Sequence, residues 1–205
     1  MRLIDISVPV TSEMFRFPRP DHVVVSISEE GRYEDVDCRT SKIVMGSHSG
    51  THIDAPMHMI RGSMAIDQVP LENLIGPARV LRLDVGSGDV IDENAIDPGL
   101  LDERRIILDT GWYENWGTDR YYSDFPLVTA GFAELLVDSG VVCIVVDLPL
   151  TLEVHNIFLG AGACQVENVV NLDEIREDRV MLVAMPLKIV GIDAAPARVA
   201  VIEGV

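Results

Sequence analysis

The chain of 205 residues is 48% hydrophobic and 24% charged, a globular composition with length enough for a sizeable core. Its 33 acidic residues outnumber 16 basic ones for a formal net charge of -17, which repels phosphate backbones and excludes a nucleic-acid partner. The apolar run Val141–Val146 falls far short of the roughly 20 residues that span a bilayer, and Met1-Arg2-Leu3-Ile4-Asp5 reaches an acid before a signal-peptide core can develop, so no membrane association and a cytoplasmic location are expected.

Val- and Ile-rich runs predict strands at His22–Ser28 and Ser41–Met45, followed by a short helix at Leu71–Ile75 and a strand at Ala78–Val85. A helix at Asp92–Ile96 and a strand at Arg105–Thr110 come next. The clearest helix is Thr129–Ser139, with Thr129 as N-cap, Val128 able to staple against Phe132, and Gly140 as its stop. Beyond it lie a strand at Val141–Asp147, a helix at His155–Leu159, a strand at Cys164–Val169 and a helix at Leu172–Arg176. Strands at Val180–Met185, Leu187–Val190 and Arg198–Glu203 close the chain. Helices interleaved with strands indicate α/β, and the helix-free run at the C-terminus indicates a mixed or barrel-like sheet. No repeat and no linker divides the sequence, so residues 1–205 are read as a single domain. Cys38, Cys143 and Cys164 form no CxxC pair and are expected to be reduced thiols in or near the core.

Three of five histidines fall in His48-Ser-Gly-Thr-His52-Ile-Asp54-Ala-Pro-Met-His58. His48, His52, Asp54 and His58 share even parity, so an extended chain would project all four to one side. A helix would separate them, and Gly50 and Pro56 oppose one, so the extended reading is preferred with a bend at either residue. Imidazoles beside a carboxylate are the ligand set of zinc or a neighbouring divalent ion. His155 and Glu167 could add a second position if Gly160 and Gly162 turn the chain back, although spacing alone leaves that pairing open. His22 is taken as a surface or strand-edge residue.

The motif resembles the HxGTHxDxPxH signature of the metal-dependent cyclase family, which includes bacterial kynurenine formamidases and isatin hydrolases. Thr110-Gly111-Trp112, Tyr122–Pro126, Val145–Pro149, Val166-Glu167-Asn168-Val169, Leu187-Lys188-Ile189 and Ala195-Pro196-Ala197-Arg198 resemble further segments of that family. The resemblance implies a swivelling β/β/α domain with a barrel-like sheet, assembled as a homo-oligomer (dimer or tetramer). It implies one or two divalent metal ions per subunit, zinc first and manganese as the alternative. His48, His52 and Asp54 would hold the first ion; Asp54 would bridge to a second held by His155 and Glu167. His58 would carry protons. The family's aromatic-Pro-Gly-Asp run corresponds here to Phe17-Pro18-Arg19-Pro20-Asp21, so Phe17 is the candidate substrate-binding aromatic while the Gly-Asp pair is missing. Arg16 or Arg19 could instead meet a substrate carboxylate, or simply be solvated charge.

The chemistry implied is hydrolysis of a small amide, foremost N-formylkynurenine to kynurenine and formate in tryptophan degradation. Opening of a cyclic amide or lactone, and non-catalytic binding of a metal or small ligand, are the alternatives. In the ring-opening reading Trp112, Tyr113, Trp116 and Tyr121 could line the pocket, or could serve packing. No Gly-x-Ser-x-Gly elbow occurs, because Gly46-Ser47-His48-Ser49-Gly50 has histidine at its centre.

Overall fold

The computed structural model describes all 205 residues, Met1–Val205. Its strands are β1 (Arg2–Asp5), β2 (Ser26–Gly31), β3 (Thr40–Val44), β4 (His52–Asp54), β5 (Ile75–Arg82), β6 (Val90–Ile91), β7 (Arg105–Asp109), β8 (Leu127–Val128), β9 (Cys143–Val146), β10 (Cys164–Glu167), β11 (Arg179–Pro186) and β12 (Ala194–Glu203). Its helices are α1 (Tyr33–Val36), α2 (Leu71–Leu74), α3 (Arg120–Ser123), α4 (Ala130–Asp138) and α5 (Leu152–Gly160). The main sheet has eight strands in the order β1-β12-β11-β5-β7-β9-β10-β4, and β12 also pairs with β4. That last pairing, Ala194 to Asp54 and Pro196 to His52, closes seven strands into a ring and leaves β1 hanging on β12. The sheet is mixed: β5, β7, β9 and β10 run parallel, while β11, β12 and β4 join antiparallel. The expected α/β class with a barrel-like mixed sheet is what the chain adopts.

Alternation along the ring strands builds two cores. Ile53, Val80, Ile107, Val145, Val166, Leu182 and Val201 come from every strand of the ring and fill its interior. Their neighbours Leu81, Ile106, Leu108, Ile144 and Val146 face outward and meet Phe132 and Leu136 of α4 and Val154 and Phe158 of α5. His52 and Asp54 flank Ile53 on β4, so parity turns them to the outer face, where α5 covers them.

Local signals worked where they were strong. Thr129 Oγ accepts from the Phe132 amide at 3.2 Å, and Gly140 leaves α4 at φ +84°. Cys143 and Cys164 are buried side by side on β9 and β10, whereas Cys38 is exposed, against expectation. The predicted helix at Asp92–Ile96 is a turn, because the Asp92 side chain accepts from the Asn94 amide at 2.9 Å and competes with helix formation. The predicted strand at Leu187–Val190 is a loop: β11 ends at Pro186, Gly191 turns at φ +77°, and Leu187, Ile189 and Val190 are exposed. Leu172–Glu174 makes only a single 3₁₀ turn, and the first predicted strand begins at Ser26 rather than His22.

At the end of β9, Asp147 is fully buried and accepts from Thr110 through its hydroxyl (2.6 Å) and amide. Burial outweighs these bonds and pushes its pKa up to about 7 from 3.8. The folded chain therefore holds a proton that the unfolded chain has already lost, and this residue's contribution to stability falls as pH rises from about 4 to about 7. Denaturant unfolding of wild type and Asp147→Asn across that range is expected to show their stability difference shifting against wild type as pH rises. A pH-independent difference would contradict it.

Candidate metal centre

The motif region is extended only over β4. Gly50, at φ +62°, bends the chain before it, and Pro56 starts a 3₁₀ turn, Pro56–His58, after it. A bend was expected at one of the two residues and the chain bends at both, which folds His48 and His58 back over β4 rather than leaving all four side chains on one straight strand. The ring centroids of His48 lie 4.9 Å from His52 and 4.3 Å from His58. Glu167 on β10 sits opposite His52 in the sheet register, and α5 delivers His155 from above. The return of Glu167 to His155, left open by spacing, is made at 2.9 Å from His155 Nε2 to Glu167 Oε1.

Asp54 lies at the centre and is 1% exposed. Its Oδ1 is 3.0 Å from His48 Nδ1 and 3.3 Å from His52 Nε2, while its Oδ2 is 3.7 Å from His155 Nε2. Glu167 also faces both groups, with Oε2 at 4.0 Å from His52 Nε2. Two neighbouring donor sets result, His48–His52–Asp54 and His155–Asp54–Glu167, joined through one carboxylate.

Two features of this arrangement fit a divalent cation. The buried atoms His52 Nε2, both Asp54 oxygens and Glu167 Oε1 have no hydrogen-bond partner, although buried polar atoms are ordinarily paired. The far nitrogens, by contrast, are fixed: His52 Nδ1 donates to Gly50 O and His155 Nδ1 to Thr151 O, each at 2.8 Å. That leaves both Nε2 lone pairs aimed at the carboxylates, the usual preparation of a metal-ligating imidazole. The side-chain amide of Asn168 donates to Gly50 O at 3.0 Å and so braces the same turn.

Electrostatics agree. Burial opposes charge on His48, yet its hydrogen bond to Asp193 and the neighbouring Asp54 carboxylate outweigh burial and raise its pKa to about 10. His155 is likewise held at about 9 against burial, first by the charge of Glu167. Burial works against the Asp54 carboxylate too, but His52 and His48 keep it well below the usual carboxylate range. Without a cation the centre carries protons in its place, and cation binding would displace them.

Asp193 was not anticipated. It precedes β12, accepts from His48 Nε2 at 2.8 Å and stands 3.3 Å from His58 Nδ1. Its only trace in the sequence is an acid between two segments already matched to the family. His22 is also corrected: it lies half-buried on the cavity wall, its ring 5.3 Å from Phe17 and 6.1 Å from His48.

A cavity of about 840 Å³ opens above the centre, with Phe17, Tyr122, Phe125 and Leu150 on its apolar walls. Phe17 meets Tyr122 edge-on at 5.0 Å. Of the aromatics proposed for the pocket, Trp112 and Tyr121 are buried in the helix-side core and Trp116 packs against it, so the packing alternative holds for them. Arg16 and Arg19 reach the rim, but the fork of Arg19 is engaged by Asp21 and Arg16 Nε donates to His22 O.

Residues 4–151 match the family described as "Putative cyclase". A kynurenine formamidase of Bordetella petrii is 32% identical over 209 residues, covering 96% of each chain. Among solved structures, a predicted metal-dependent hydrolase from Bacillus stearothermophilus superposes with a TM-score of 0.79 at 28% identity, covering 98% of this chain and 97% of that one. An isatin hydrolase A from Labrenzia aggregata superposes at 0.84 with 20% identity over 98% and 93% of the two chains, a likeness of fold. With most of its length matched and its histidine motif gathered around one shared carboxylate, the chain belongs to the cyclase family.

Proposed function

We propose that the chain is a metal-dependent amide hydrolase that removes the formyl group of an N-formyl aryl amide, foremost N-formylkynurenine. The observation that carries this reading is the Asp54 carboxylate, shared between two histidine–carboxylate sets at the floor of an aromatic-walled cavity. The near-full-length similarity to kynurenine formamidases supports the choice of substrate. His48, His52 and Asp54 would hold one ion, and Asp54, His155 and Glu167 a second, with zinc preferred and manganese the alternative for such a donor set. When bound, such an ion supplies Lewis acidity and makes water acidic enough to furnish hydroxide near neutral pH.

Everything else falls to the chain. Phe17 and Tyr122 hold the aryl ring against the cavity wall, which points the formyl group at the floor. His58 accepts a proton from the attacking water as the C–O bond forms. It then gives a proton to the aryl nitrogen as the C–N bond breaks, releasing the amine and formate. We further propose that the whole chain acts as one domain and that it assembles as a homo-oligomer.

Purified protein incubated with N-formylkynurenine is expected to release kynurenine and formate in equal amounts. Chelation should abolish turnover, and added zinc or manganese should restore it. Metal-loaded protein that leaves this substrate intact would defeat the formamidase reading, and hydrolysis of isatin instead would transfer the assignment to cyclic amides.

A further inference from the structure

We propose that Asp193 is a positioning residue that holds His48 and His58 at once, through one carboxylate oxygen, and so ties metal holding to proton transfer. The inference rests on the reading of His48 as a ligand and His58 as the proton carrier. His52 and His155 each donate Nδ1–H to a main-chain carbonyl, Gly50 O and Thr151 O. His48 and His58 have no such carbonyl; the hydrogen-bond partner of each is Asp193 Oδ2, at 2.8 and 3.3 Å. A neutral imidazole that donates from one nitrogen offers a lone pair on the other. Asp193 thus directs His48 Nδ1 at Asp54 Oδ1, 3.0 Å away, and leaves His58 Nε2 as the basic nitrogen.

The carboxylate is anchored for this work. The Ala55 amide donates to Asp193 O at 2.9 Å, the Ile66 amide donates to Ile192 O at 3.0 Å, and the next residue, Ala194, pairs with Asp54. Gly191, on the other side, donates its amide to the Asp67 side chain at 2.8 Å. The loop is therefore pinned to the strand and turns that carry the site.

The test needs no turnover. Zinc affinity is measured by competition with a chromophoric chelator, and the His58 tautomer is read from the ring ¹⁵N shifts of zinc-loaded protein. Loss of an outer carboxylate that orients a ligand costs about 10- to 100-fold in metal affinity. Asp193→Ala is expected to weaken zinc by that factor and to convert His58 from a single Nδ1–H tautomer to a mixture. Asp193→Asn, which keeps one acceptor oxygen, should recover part of both effects. Unchanged zinc affinity, or a change in one readout without the other, overturns the shared role. Wild-type protein that binds zinc yet hydrolyses no amide would defeat the proposed reaction, while these two readouts would still decide the place of Asp193.

Discussion

Replacing Asp54 by alanine is expected to empty both metal positions together and to reduce amide hydrolysis to background. The residue is a member of both donor sets, with Oδ1 near His48 and His52 and Oδ2 toward His155, so one substitution removes a negative ligand from each. Breaking a buried ion pair by removing one partner costs about 3–5 kcal/mol, which corresponds to about 10²- to 10⁴-fold in affinity. Loss at each position multiplies, and the activity that depends on both should fall further than either. Folding is a separate question, because a 1%-exposed carboxylate also carries a desolvation cost that alanine relieves. Circular dichroism on Asp54→Ala, with Asp54→Asn as the variant that keeps shape and one neutral oxygen, distinguishes lost metal from lost fold. Metal analysis that finds one ion retained in folded Asp54→Ala would show that the carboxylate is not shared.

The elements that could be read from sequence are those set by neighbours in the chain. The Thr129 cap, the Gly140 stop and the parity of His52 with Asp54 all depend on residues a few positions apart, and all three are present. Ring closure could not be read in that way. It depends on Ala194–Pro196 pairing with His52–Asp54, partners far apart in the chain that no local pattern connects. Asp193 went unseen for the same reason, since its meaning comes from where β12 begins beside β4. Leu187–Val190 shows the converse error: its apolar residues suggested a strand, but Pro186 and Gly191 make it the loop that presents Asp193. His48 and His58 were grouped by an extended pattern that holds only from His52 to Asp54. They meet because Gly50 and Pro56 bend the chain on either side.

Position also separates His58 from the residues it resembles. Its side chain is 26% exposed, against 2% for His52 and 10% for His155, so it stands at the cavity side of the centre. Its ring lies 4.3 Å from that of His48 and 5.9 Å from that of His155, between the two donor sets and below the aromatic walls. A nitrogen of His58 could nonetheless group with Asp54 and His155 around an ion, which makes it either a proton carrier or a ligand. The two roles predict opposite results for His58→Ala. As a proton carrier its loss lowers kcat by about 10²- to 10⁴-fold, while zinc content, zinc affinity and KM stay near wild type. Added free imidazole should restore part of the rate, since the space left by the ring opens onto the cavity. As a ligand its loss would lower zinc affinity along with activity, and excess zinc rather than imidazole would restore the rate. The hydrogen bond to Asp193 favours the first outcome, because it fixes one nitrogen and leaves the other free to exchange a proton with water and with the leaving amine.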